Sequence, residues 1–141
     1  MTIPASDMQT EAFGTLFRRL NEGSGGGDTN VDFVSITTTN AVPTLLYSKT
    51  LTPNSGVTFR ATILVTRGPN ASVVGKFIRE FTVKRFGSNP VALLQDLVPS
   101  LDYKEDPGLS LAPSVDVTNA TIMVTGLSAT LTWHGRIEFV S

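Results

Sequence analysis

Apolar and polar residues alternate along most of this chain, and the period of alternation changes once. From Val31 onward the period is two. Val57-Thr58-Phe59-Arg60-Ala61-Thr62-Ile63-Leu64-Val65-Thr66-Arg67 and Ala129-Thr130-Leu131-Thr132-Trp133-His134-Gly135-Arg136-Ile137-Glu138-Phe139-Val140 carry it most clearly, as half-buried strands do. Val31 to Thr37 alternates too, with Val31, Phe33, Ser35 and Thr37 on one face. Thr44 to Leu51 follows Pro43, which suits a strand start or an edge. Thr58–Thr66 and Val73–Arg85 are expected to form a hairpin around Arg67-Gly68-Pro69-Asn70, with a bulge near Ile78. A second turn is expected at Phe86-Gly87-Ser88-Asn89-Pro90, then a short buried strand or helical turn at Val91-Ala92-Leu93-Leu94. Pro99–Pro113 reads as irregular, and Val115–Val117, Thr121–Val124 and Thr130–Val140 as the last strands. Seven or eight short strands at this spacing predict an all-β fold, an antiparallel β-sandwich that is jelly-roll-like.

Before Val31 the pattern is helical. Met8, Ala12, Phe13, Leu16, Phe17 and Leu20 share one face of a short amphipathic helix over residues 6–20. Ser6 and Gln9 supply a capping box, Asp7 and Glu11 suit the positive end of the helix dipole, and Arg18 and Arg19 the negative end. Gly23-Ser24-Gly25-Gly26-Gly27-Asp28 opens a Gly-rich linker over 23–30. It is not a phosphate loop, because no Gly-Lys-Ser/Thr ending feeds a helix. Two units are therefore expected: an N-terminal arm, 1–30, and a β-sandwich, 31–141. An amphipathic stripe on a flexible tether is expected to dock outside its parent domain, which makes Met8, Phe13, Leu16, Phe17 and Leu20 the candidate partner-contact residues.

Composition narrows the function classes. The chain has 141 residues, 40% of them hydrophobic, enough for a single core. A net charge of −1 provides no electrostatic reason to bind nucleic acid or an anionic membrane. There are no cysteines, which excludes disulfides, thiol nucleophiles and cysteine-ligated zinc, and leaves oligomerisation as a source of robustness. No signal peptide or membrane-length apolar run is visible, so synthesis and residence in the cytoplasm are expected unless the protein leaves within an assembly.

The search for chemistry finds no catalytic constellation. His134 is the single histidine and has no second histidine or cysteine to join it at a metal. The loop Asp102-Tyr103-Lys104-Glu105-Asp106-Pro107-Gly108 lacks EF-hand spacing and reads as solvated. Asn70-Ala71-Ser72 and Asn119-Ala120-Thr121 match the glycosylation pattern, as a Ser/Thr-rich chain does by chance. Lys76 and Lys84 share one strand parity and Arg79 and Arg85 the other, so no single basic face forms. Trp133, flanked at the same parity by Leu131 and Ile137, reads as a core anchor.

Taken in order, Phe59–Arg67, Phe77–Arg85, Val124-Thr125-Gly126 and Leu131–Ile137 resemble a β-domain of bacteriophage virion proteins, found in tail fibres, spikes and capsid-attached proteins. The resemblance covers roughly Leu51 to Val140. It implies a non-enzymatic, trimeric virion component without cofactors, made in the bacterial host. With its N-terminal arm, the chain looks like a capsid decoration (cement) protein whose partner is the major capsid protein. A tail fibre or tail-adaptor subunit is the alternative, with tail proteins or a host glycan as partner, and a lectin-like carbohydrate-binding module is the third reading.

Overall fold

A computed structural model describes residues 29–141. The expected helix over 6–20, residues 23–28 of the linker, and Met8, Phe13, Leu16, Phe17 and Leu20 lie outside the described residues. The described chain is all-β and antiparallel. Its strands are β1 (Thr29–Thr38), β2 (Thr44–Thr50), β3 (Ser55–Arg67), β4 (Ser72–Arg85), β5 (Ala92–Leu97), β6 (Tyr103–Lys104), β7 (Ser110–Val115), β8 (Asn119–Thr125) and β9 (Leu131–Val140).

The larger sheet has the order β1-β9-β3-β4-β5, with the two-residue β6 also pairing along β4; the smaller is β2-β8-β7. Alternation explains the layering. Val57, Phe59, Ala61, Ile63 and Val65 of β3 are all buried, while Thr58, Arg60, Thr62 and Leu64 face outward between them. Phe77, Phe81 and Val83 of β4 and Leu131, Trp133, Ile137 and Phe139 of β9 join them on the inner face. The small sheet answers with Leu46, Leu111, Ala120, Ile122 and Val124. Phe59 stacks on Phe81 with ring centroids 4.8 Å apart, and the Phe77 ring lies 5.9 Å from that of Trp133. Trp133 is fully buried, and its indole N–H donates to Thr38 Oγ1 at 2.9 Å, so the one polar atom of the core anchor is satisfied. Tyr47 crosses between the sheets, edge-on to Phe59 and donating to Asp32 Oδ2 at 2.7 Å. Burial and that bond raise its phenol pKa well above the ordinary range.

Several local expectations are corrected. Phe77, Phe81 and Val83 do not break alternation near Ile78; they share one parity, and the bulge lies at Val74, where Val65 pairs with Gly75 and Thr66 with Val73. Val91 is buried, but Ala92, Leu93 and Leu94 are exposed, because β5 forms the rim of its sheet. The stretch 99–113 is less irregular than expected, since it contains β6 and the start of β7. Asp116, Val117 and Thr118 form a tight turn rather than a strand: Asp116 Oδ1 accepts from the N–H groups of Thr118 and Asn119. The turns at 67–71 and 86–89 are where they were expected, with Gly68 and Gly87 at positive φ.

Candidate functional site

The outer rim of β4 is where this domain departs most from an ordinary water-facing surface. β5 runs along it from Lys84 to Glu80, and β6 resumes the pairing at Lys76 and Gly75. The two strands are one edge interrupted by residues 98–102. Pro99 has no N–H to contribute, and Leu94 is an extra residue between the pairs Val83–Leu93 and Thr82–Gln95. Both devices blunt an edge against unlimited strand addition. Yet the rim presents large apolar side chains among its polar ones. Leu94, Leu97, Val98 and Tyr103 are exposed, and Leu101 is 95% exposed. Isolated exposed leucines are ordinary, whereas here five large apolar side chains stand exposed within ten residues of one rim, interspersed with the exposed Gln95, Asp96 and Ser100. Its backbone is blunted while its side chains are presented, which favours contact through side chains over strand pairing.

An ion pair holds this ridge in place. Arg79 lies on the inner face of β4, at the parity of Phe77 and Phe81, over the Phe77 ring. Its guanidinium donates to Asp102 Oδ1 at 2.6 Å and Oδ2 at 2.8 Å, and also to the carbonyls of Ile78 and Leu111. Those bonds join the ridge segment to β4 and to β7. They also hold the Asp102 carboxyl below its ordinary pKa, against the opposing effect of partial burial. The solvated reading of this loop therefore holds for Glu105 and Asp106, which are exposed, but not for Asp102.

The outward face of the larger sheet carries the second feature. Arg60 stands in register with Glu138 on one side and Glu80 on the other, and is ion-paired to Glu80. Arg136 Nε lies 3.2 Å from Glu138 Oε1. Glu138 points away from the core by parity, yet is only 1% exposed amid these neighbours. Next to this network is a depression of about 530 Å³ lined by Phe33, Thr62, Leu64, Lys76, His134 and Arg136. Lys76 and Lys84 face outward and Arg79 inward, as their parity predicts. His134 lies half-buried in the depression wall, and among the described residues no group of three or more His, Cys, Asp or Glu side chains could hold a metal ion. Sequence reasoning placed contact residues only in the arm and missed both the rim and the depression. The available signals were the dense leucines of 93–101 beside Pro99 and the outward parity of Phe33.

No protein-family model matches the sequence, and no curated protein sequence matches it significantly. Among solved structures, the tailspike protein of Acinetobacter baumannii phage AM24 is similar to this chain at 10% identity and a TM-score of 0.43. The match covers 79% of this chain and 26% of that one, so the chain spans about a quarter of the tailspike's length. A superposition this loose identifies neither a shared fold nor a shared role.

Proposed function

We propose that this chain is a non-enzymatic structural protein that works by assembly: a phage capsid decoration (cement) protein that trimerises on the capsid surface and stabilises the shell. The observation that carries the assembly part is the ridge from Leu94 to Tyr103, anchored through Asp102, because several large apolar side chains exposed close together are the mark of a surface that another protein covers. The virion setting and the trimer rest on the sequence resemblance of residues 51–140. In this reading the sandwich is jelly-roll-like, and the arm meets the shell through Met8, Phe13, Leu16, Phe17 and Leu20.

Sedimentation of the purified chain, alone and with emptied capsids, tests the reading. The expected result is a solution mass of three chains and saturable binding at hundreds of copies per shell. Leu97→Ser/Leu101→Ser should return a single folded chain with weakened shell binding. A trimer that ignores shells would overturn the capsid assignment in favour of a tail subunit. A monomer that binds neither shells nor copies of itself, but does bind a saccharide array, would replace the whole reading with a lectin.

A further inference from the structure

The water-facing side of a sheet is ordinarily polar, but on the larger sheet Val31, Phe33, Leu64, Ile78 and Val140 interrupt the threonines and charges of that side. Two cross-strand rows cross this side, Phe33–Arg136–Thr62–Ile78 and Ser35–His134–Leu64–Lys76, and of these Phe33, Arg136, Thr62, His134, Leu64 and Lys76 line the depression. Phe33 rises at its rim, 76% exposed. From β1 to β4 the trough is three strand spacings wide, about 14 Å. An α-helix with its side chains is roughly 10 Å across. The trough is the width of one helix.

We infer that this face is the docking surface for the chain's own amphipathic segment, residues 6–20, laid along β9 and β3 with Phe13 and Phe17 against Phe33 and Leu64. The covalent geometry permits it. Thr29, where the described chain begins, pairs with Val140 at one end of β1, and the depression lies about five residues along the sheet. That is about 17 Å along the strands and about 10 Å across them, a straight line of about 20 Å. Residues 21–28 can span up to about 26 Å when extended. The leucine ridge near Gln95 is as close to Thr29, about 19 Å straight across the sheet, but it is a rim one strand wide rather than a face on which a helix can lie. A short Gly-rich tether also holds the segment at an effective concentration in the millimolar range, so an intrinsic dissociation constant below about 1 mM suffices for docking. Lys76, at the wall, provides a positive charge complementary to Asp7 and Glu11 of the segment. The docking stands independently of the virion reading. If both hold, a shell competes for the same apolar stripe.

The absence of cysteine allows a single spin label at Ser35→Cys, an exposed position in the row beside His134. In the full-length chain the label should broaden the amide resonances of residues 8–20. Phe33→Glu should restore them, and so should Phe13→Ser/Phe17→Ser, which leaves the sandwich untouched. Unchanged emission from buried Trp133 reports that the domain has stayed folded. Amides that are never broadened, or that stay broadened in Phe33→Glu, overturn the inference. Mixing spin-labelled chains with isotope-labelled, unmodified ones decides the occupant: broadening between chains would mean that a second copy's segment fills the face, against the inference. Shell sedimentation reads none of these signals, so either idea can fail alone.

Discussion

Removing the Asp102 carboxylate should cost this domain far more than removing an exposed acid. The Arg79 side chain is 9% exposed and that of Asp102 20%. The pair is joined by two charge-assisted bonds, and Asp102→Ala would leave the guanidinium with only the Ile78 and Leu111 carbonyls. An exposed ion pair contributes about 0–1 kcal/mol, whereas stripping one partner from a buried pair costs about 3–5 kcal/mol. Water reaches one side of Asp102, so the low end applies, about 3 kcal/mol. With a urea m-value of about 1.5 kcal/mol/M, the unfolding midpoint should fall by about 2 M. Emission of the fully buried Trp133 reports that transition. The double variant Arg79→Met/Asp102→Ala removes both charges and should recover most of the loss. A midpoint within about 0.5 M of the parent for Asp102→Ala would be the behaviour of a surface pair. A double variant less stable than the single would show that Arg79 acts by packing alone. Either result refutes the clamp.

A Cβ added at Gly135 would sit 2.0 Å from the Thr62 carbonyl oxygen and 3.0 Å from Ile63 Cα, so β9 and β3 would have to separate. Gly135→Ala should cost about 3 kcal/mol, lowering Tm by about 12 °C; a calorimetric change within about 2 °C would mean that the strands are not held that close. In acid, the carboxyls of Asp102, held low by Arg79, and Asp116, held low by the Asn119 side chain and by backbone N–H groups, bind protons less readily folded than unfolded. Their stabilisation is complete above the ordinary carboxyl range and fades as pH falls through the lower folded values. Urea midpoints measured downward from pH 6 should therefore decline more gently in Asp102→Asn than in the parent, and parallel curves would disprove the linkage.

The strands β3 and β9 could be read from the sequence because their two faces meet different surroundings, core on one side and water or charge on the other. Trp133 was legible for the same reason, with apolar residues two and four positions away. Arg79 was legible in direction but not in burial: its parity is that of Phe77 and Phe81, yet a charge at an inward position argues against burial until its partner is known. Only the tertiary partner, Asp102, makes that position tolerable to a charge. The Leu93-Leu94 pair misled in the opposite direction: apolar content predicts burial, but a rim strand has no neighbour to bury it. Glu138 shows a third limit. Its parity is outward, and its burial comes from side chains on adjacent strands that a one-dimensional pattern does not bring together.

The pairing of Thr29 with Val140 has a consequence for the domain as a whole. Entry and exit of the described chain lie side by side at one pole. β3 runs the length of β9 from Thr58 opposite Val140 to Arg67 opposite Leu131, which carries the Gly68-Pro69-Asn70 turn to the other pole, about 30 Å away. Both ends of the described chain therefore leave from the same pole. Sequence fused at either end would start from that pole, and the Gly68-Pro69-Asn70 turn is a place where an inserted peptide would project about 30 Å from it.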